Sequence, residues 1–293
     1  MSYHVEDEIA SQPDCWRRAV ELSMTISELL PQPGERVAFV GCGTSWFVAQ
    51  VLASLRETSG QGESDAATPS ELLERPYDRV VALTRSGTTT EVVELLSRLQ
   101  GQVPTVAVTA DLNTPVVDVV DEVVDLTFAD ERSVVQTRFA TTTLALFRSW
   151  LGRFPDALVD QAQGAVEQTL DPARAAAEQI TFLGRGWTIG LAHEAALKLR
   201  ETSASWAESY PAMDYRHGPI SIADNGRLVW MLGPAPKGLK EQVRETGALF
   251  VESHLDPMAE LIVAQRVAVA RAVRLGVDPD QPRHLTRSVL LPG

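Results

Sequence analysis

A short run of small polar residues between an apolar strand and a helix is the stretch of this chain best suited to binding an anion. Residues 79–96 read RVVALTRSGTTTEVVELL, in which hydroxyls and a glycine fill the loop Thr84–Thr89. The first amides of a helix lack partners and carry a partial positive charge, and glycine allows the backbone to approach a ligand closely. Helix capping accounts for only one or two of these hydroxyls. The pattern therefore predicts a phosphate-binding loop without a nucleophile.

A second glycine loop follows another apolar stretch, in the sequence GCGTS. Gly41 and Gly43 fit the start of a dinucleotide fingerprint, but Trp46 stands where its third glycine belongs, and the candidate ribose-binding acids fall in a segment with little strand character. We therefore expect no NAD and no other cofactor. Thr44 and Ser45 instead add hydroxyls to the predicted anion site.

Candidate acid–base groups lie further along the chain. Glu194, Lys198 and Glu201 share one face of a predicted helix over 189–202, because their spacing is i, i+4, i+7. They form either a solvated ion-pair stripe or, since this helix follows a second G-x-G whose helix start should face a ligand crevice, a general base near the ligand. His217 precedes Gly-Pro in a loop, where it is either an ordinary surface residue or part of a pocket wall.

Length and composition limit the class of protein. The chain has 293 residues, of which 44% are hydrophobic and 22% charged, as in a globular protein with room for two domains. Its net charge of −13 argues against nucleic-acid and membrane partners. Two cysteines, no metal-binding histidine pattern, no signal peptide and no long apolar run predict a cytoplasmic protein without a bound metal.

Strands and helices alternate, which positions these loops at the ends of strands. The predicted strands of the first half are 36–40, 79–83, 105–109 and 122–127, with helices between them and a helix over 136–151. The second half repeats the first, since GERVAFVGCGTSWF is echoed by AEQITFLGRGWTIG. This predicts two doubly wound parallel-sheet α/β domains in tandem, at 1–155 and 156–293, with a linker over 155–171.

Taken together, five segments of the sequence resemble the sugar isomerase (SIS) family, in particular the isomerase half of glucosamine-6-phosphate synthase and its deaminase relatives. They span nearly the whole chain in order: GCGTS at 41–45, TRSGTT at 84–89, FLGRGWTIGLAHEAALKLRE at 182–201, RHGP at 216–219 and VDPDQPRHLTRSV at 277–289. The resemblance implies two flavodoxin-like SIS subdomains and a homodimer with shared active sites.

The resemblance also implies roles for residues. The sugar phosphate would be bound by Thr84, Ser86, Thr89 and Ser45, with Thr44 and Gly87 in the same two loops. Arg85, which stands where the synthase has glutamine, either adds a charged contact or points outward. Glu201 would move a proton between C1 and C2, and His217, supplied across the dimer, would assist ring opening.

The chain departs from the synthase pattern at Arg287, which holds the place of a lysine that forms an imine with the sugar. A guanidinium is a poor imine former, so Arg287 is expected instead to stabilise developing oxyanion charge. The chain also shows no glutaminase domain and no Met-Cys start, so glutamine is not the expected ammonia source. The sequence thus predicts a phosphosugar isomerase or deaminase acting on an amino-sugar or ketose 6-phosphate. The alternative is a non-catalytic phosphosugar sensor that acts through a partner.

Overall fold

The computed structural model describes residues 3–291. The strands of this part are β1 (Val37–Val40), β2 (Ser64–Ala67), β3 (Arg79–Leu83), β4 (Thr105–Thr109), β5 (Glu122–Asp125), β6 (Ile180–Gly184), β7 (Ala207–Pro211), β8 (Leu228–Met231) and β9 (Leu249–Glu252). The α-helices are α1 (His4–Ala10), α2 (Gln12–Ser23), α3 (Thr44–Thr58), α4 (Thr90–Leu99), α5 (Arg138–Trp150), α6 (Leu158–Glu167), α7 (Pro172–Ala176), α8 (Thr188–Ser203), α9 (Leu239–Glu245) and α10 (Pro257–Leu275). None of the helices in the described range is both long and apolar enough to cross a bilayer.

The chain folds into two compact units. The first unit comprises Ser11–Pro155 and the segment that begins at Leu285, and the second comprises Asp156–His284 and the segment that ends at Ala10. The predicted domains were continuous, at 1–155 and 156–293. In the structure, the segment that ends at Ala10 belongs to the second unit and the segment that begins at Leu285 belongs to the first.

The first unit contains a parallel five-stranded sheet in the order β2-β1-β3-β4-β5. Its central strands are continuous apolar runs because both faces of the sheet are covered. Val92, Leu95 and Leu96 of α4 pack in a cluster with the valines and alanines of β1 and β3. The register pairs Val37 with Arg79 and places the ends of β1 and β3 side by side.

The second unit contains a parallel four-stranded sheet in the order β7-β6-β8-β9. β6 and β8 are fully buried strands, paired from Ile180 with Leu228 onward. The two sheets share the order in which the first strand lies between the second and the third. This confirms the predicted fold class of two doubly wound, flavodoxin-like parallel-sheet subdomains.

Two local predictions were wrong. The segment that holds Glu63 and Asp65, the candidate ribose-binding acids, is predicted to have little strand character, yet residues 64–67 (SDAA) form β2, a half-buried edge strand paired with β1. The predicted linker over 155–171 contains α6, whose Leu158, Ala162 and Ala165 are buried within the second unit. An apolar face with helical spacing therefore outweighs the polar composition of that stretch.

Candidate functional site

The two predicted anion-binding loops follow neighbouring strands of the first sheet. Gly41–Ser45 follows β1 and Thr84–Thr89 follows β3, and Val40 is paired with Ala82 at the ends of these strands. The strand order reverses at this pair, and in open α/β sheets such a switch point opens a crevice beyond the carboxyl ends of the strands. The topology therefore brings both loops to the position where this fold binds ligands.

Hydroxyls shape the backbone of the loop Thr84–Thr89. The Gly87 amide donates to Thr84 Oγ1 at 3.2 Å, and the Thr88 amide donates to Ser86 Oγ at 3.3 Å. The hydroxyl oxygens of Thr88 and Ser86 lie 3.1 Å apart. Gly87 has φ of +62°, and a Cβ there would lie 2.0 Å from Thr114 Oγ1. Only glycine fits this turn, for both conformational and steric reasons.

The loop Gly41–Ser45 is equally tight. A Cβ on Gly41 would lie 2.6 Å from Ser45 Cβ, so glycine is required for the first turn of α3 to pack against the end of β1. Gly184 has the same role in the second unit, where a Cβ would lie 2.2 Å from the Thr188 carbonyl oxygen. The first glycine of the repeated G-x-G is thus a packing feature of each strand–helix junction. Thr44 and Ser45 are both buried at the start of α3.

Arg85 is buried, with 1% of its side chain exposed, and its guanidinium faces the segment that precedes α5. It lies 3.6 Å from the Glu131 carboxylate and donates to the carbonyls of Ser133 and Val134. A further bond runs to the Arg287 carbonyl at 3.3 Å. The alternative of an outward-pointing Arg85 is therefore wrong, because its charge is compensated by a buried carboxylate and backbone oxygens.

The segment that begins at Leu285 packs on the same loop of the first unit. Arg287 pairs with the Asp130 carboxylate and donates to the Glu131 carbonyl. Thr88 Oγ1 donates to Ser288 Oγ at 2.8 Å. Thr88, Ser288 and Glu131 were not among the predicted site residues. Ser288 and Glu131 are distant in sequence from the loop, so no local pattern connects them to it. Thr88 lies inside the predicted loop.

In the second unit, α8 carries a buried ion-pair row. Lys198 and Glu194 are 1% and 2% exposed and 3.5 Å apart, and Lys198 Nζ lies 2.5 Å from the Glu201 carboxylate, which is 19% exposed. The alternative of a solvated stripe is therefore wrong. The second alternative placed the general base near the ligand because the start of this helix should face the crevice. Glu201 does not lie at the helix start: it is in the last turn of α8, about 20 Å from Thr188 at 1.5 Å per residue.

Two histidines of the second unit have different environments. His193 Nδ1 lies 2.8 Å from Ser209 Oγ, and burial, aided by the nearby Arg200 charge, lowers the pKa of this imidazole. His217 ends a 3₁₀ turn over Asp214–His217 and is exposed. Within residues 3–291, no three His, Cys, Asp or Glu side chains converge as a metal site would require.

The class defined by this fold is that of α/β proteins with two doubly wound parallel-sheet subdomains in tandem. No protein-family model matches the chain. Curated relatives are glutamine–fructose-6-phosphate aminotransferases, from Pyrobaculum aerophilum (27% identity, over 96% of this chain and 56% of the relative) and Thermus thermophilus (28%, over 92% and 54%). The chain thus spans about half the length of the curated relatives it matches.

Solved structures show the same fold over almost the full chain. Glucosamine-6-phosphate deaminase from Thermotoga maritima matches with a TM-score of 0.81 and 22% identity, over 98% of this chain and 100% of that one. The C-terminal domain of glucosamine-fructose-6-phosphate aminotransferase from Francisella tularensis gives 0.80 and 21%, over 96% and 99%. Tagatose-6-phosphate ketose/aldose isomerase from Escherichia coli gives 0.75 and 20%, over 97% of each chain. The comparisons confirm the predicted resemblance to the SIS family.

Proposed function

We propose that the protein is a phosphosugar isomerase or deaminase acting on an amino-sugar or ketose 6-phosphate by proton transfer between C1 and C2. The observation that carries the proposal is the hydroxyl-rich loop Thr84–Thr89 at the strand switch point, in a chain whose relatives have sugar phosphates in their names. Hydroxyls and amides bind a phosphate without a dedicated metal.

In this proposal the first unit holds the phosphate. Ser45, Thr84 and Ser86 donate their hydroxyl hydrogens to it, and Thr89 is a fourth candidate donor. Because Ser45, Thr84 and Ser86 are almost fully buried, little water competes with the anion for these donors, which strengthens each charge-assisted bond. This local set of donors compensates for a net charge of −13, which repels an anionic substrate at long range.

Glu201 of the second unit is the proposed proton shuttle, with Lys198 Nζ holding its carboxylate at 2.5 Å. With an open-chain amino sugar, the carboxylate takes the proton from C2 while the C1 oxygen gains a proton from water, which gives an enolamine. The carboxylate then returns its proton to C1 while the nitrogen loses a proton to water, which gives an imine at C2. Water then adds to the imine and releases ammonia and the ketose. With an unsubstituted sugar the same transfer interconverts aldose and ketose through an enediol.

His217 is the proposed ring-opening group, supplied from a partner subunit. Its exposed position in a single chain is compatible with such a role, because a group that serves another subunit must reach the surface. We accordingly propose a homodimer with shared active sites, which the family resemblance supports. The proposed cytoplasmic location is supported by the low cysteine content of the chain.

The proposal is tested first by binding and then by turnover. A thermal-shift panel of hexose, hexosamine and fructosamine 6-phosphates should raise the melting temperature, since a ligand that binds only the folded state stabilises it by mass action. Ammonia release and ketose formation are then measured with the sugars that bind. Stabilisation without turnover of any of them would favour the sensor.

The decisive variant is Glu201→Gln. We expect it to abolish turnover while sugar-phosphate binding stays within about twofold, because it removes the base and keeps the shape and most hydrogen bonds. Glu241→Gln, an exposed glutamate on α9 of the same unit, is the matched control and should keep wild-type rates. Full activity of the Glu201 variant would contradict the mechanism.

A further inference from the structure

The segment that begins at Arg287 supplies a hydroxyl to the anion-binding loop. We propose that Ser288, oriented by the Thr88 hydroxyl, is a further phosphate ligand, and that Asp130 positions it by holding Arg287. The inference rests on the proposed function, since it adds a donor to the same phosphate site. It also assigns Arg287 an anchoring role in place of the expected oxyanion stabilisation.

The first evidence is a chain of three hydroxyls. Thr88 Oγ1 lies 3.1 Å from Ser86 Oγ and 2.8 Å from Ser288 Oγ. Each hydroxyl carries one hydrogen and two acceptor lone pairs. Thr88 donates its one hydrogen to Ser288, which lies at the shorter distance, so Ser288 keeps its own hydrogen to donate to a ligand. Ser288 thus extends the donor set beyond the loop itself.

Backbone bonds fix the position of Ser288. The Thr90 amide, the first of α4, donates to the Val289 carbonyl at 3.2 Å, and the Leu291 amide donates to Thr90 Oγ1 at 3.0 Å. These two bonds hold the residues that follow Ser288 against the start of α4. The side chain of Ser288 is therefore directed to Thr88 by its neighbours on the C-terminal side.

An ionic cluster fixes Arg287, the residue before Ser288. Arg287 pairs with Asp130, its carbonyl accepts from Arg85, and Arg85 lies beside the Glu131 carboxylate. Glu131 Oε1 in turn accepts from the Thr137 and Arg138 amides at the start of α5. Asp130 and Glu131 thus link the loop, α5 and the segment 287–291 of the first unit.

Two residues that depart from the synthase pattern, Arg85 and Arg287, meet in this cluster. Both guanidinium groups are engaged by Asp130, Glu131 or nearby carbonyls. A guanidinium held by a carboxylate and a carbonyl is oriented by them, and it forms imines poorly in any setting. The cluster therefore anchors the segment 287–291, and Arg287 does not serve as an imine-forming amine.

The closing experiment measures dissociation constants by calorimetry with two probes, inorganic phosphate and glucosamine 6-phosphate. We expect Ser288→Ala to weaken binding of both probes about ten- to a hundredfold, the usual effect of losing one hydrogen bond to a charged group. Thr88→Val should weaken it about three- to tenfold, because it removes the neutral hydrogen bond that orients Ser288. Ser97→Ala, which removes a hydroxyl from the opposite end of α4, is the matched control and should bind as the wild type does. Unchanged binding by Ser288→Ala would overturn the inference while leaving the proposed function intact.

Asp130→Asn tests the positioning role. It should weaken phosphate binding less than Ser288→Ala does, because the Arg287–Asp130 pair is partly exposed and asparagine keeps one acceptor oxygen. The double variant with Ser288→Ala should lose no more than Ser288→Ala alone, because both changes remove the same contact. Asp14→Asn, which neutralises the carboxylate of an exposed pair, is the control for charge. Additive losses in the double variant would overturn the positioning role. If neither probe bound the wild-type protein, the proposed function would fail as well.

Discussion

At the scale of single residues, Gly87 shows how one position serves both folding and binding. Its φ of +62° and the 2.0 Å approach of a built Cβ to Thr114 leave no room for a side chain. Ser86 and Thr88 flank it, and the turn at Gly87 brings their hydroxyls within hydrogen-bond distance of each other. The geometry of the predicted phosphate donors thus depends on a residue that contributes no side chain.

Replacing Gly87 by alanine should therefore affect stability and binding together. We expect Gly87→Ala to lower the free energy of unfolding by about 2–4 kcal/mol, from left-handed backbone strain plus overpacking, and to weaken phosphate binding. Gly101→Ala is the matched control, because Gly101 has φ of +69° but no atom within 4 Å of its built Cβ. It should cost only about 1 kcal/mol, from strain. Equal losses in urea unfolding would contradict the steric argument.

His193 gives a pH-dependent prediction. Burial is the main cause that lowers its pKa from 6.5 in the folded state, with a smaller contribution from Arg200. As pH falls through the unfolded pKa, the unfolded chain binds a proton that the folded chain binds less well, so the folded state loses stability. Above that pH this contribution is fully present.

The measurement is the melting temperature at pH 7.5 and at pH 5.5. The drop between the two should be smaller in His193→Gln than in the wild type, because glutamine does not titrate and can still bond Ser209. His254→Gln is a control, since that histidine lies elsewhere in the same unit. An identical drop in His193→Gln and the wild type would contradict the assignment.

At the scale of elements, α8 concentrates charge inside the second unit. Lys198 lies between Glu194 and Glu201, one turn away on either side, and only Glu201 is partly exposed. Each charge is tolerated there because its partner lies on the same helix. This arrangement holds the proposed shuttle in one orientation, and it is also a place where a single substitution is costly.

Lys198→Met should lower the free energy of unfolding by about 3–5 kcal/mol, because it removes the cation from the buried carboxylate of Glu194 and the partly exposed one of Glu201. Arg17→Met is the matched control: it removes the cation of an exposed pair with Asp14 and should cost less than about 1 kcal/mol. Chemical denaturation of both variants checks the difference. A small loss for Lys198→Met would show that water or another group compensates the carboxylates.

At the scale of the whole molecule, the proposed dimer gives a complementation test. If Glu201 and His217 of one active site come from different subunits, a mixture of Glu201→Gln and His217→Asn chains forms hybrid dimers with one intact site. Random pairing should restore roughly a quarter of wild-type activity, since half of the dimers are hybrids. Each variant alone should stay inactive. No recovery after confirmed subunit exchange would contradict a shared site.

The sequence determined the alternation of elements, the parallel sheets and the two glycine loops. Apolar runs such as 79–83 and 105–109 have the observed strand bounds, because strands buried on both faces leave a continuous signal. β2 was not predicted, since a half-buried edge strand has no continuous apolar run. The family resemblance also followed from local motifs in the right order.

Only the tertiary structure decided where the charged groups of those motifs lie. Arg85 and Arg287 are distant in sequence yet share a cluster with Asp130 and Glu131, and Lys198 is buried although its spacing fits a solvated stripe equally well. Local sequence fixes backbone patterns through steric and hydrophobic periodicity. The partner of a charge depends on which segments pack together, and that is decided only when the chain has folded.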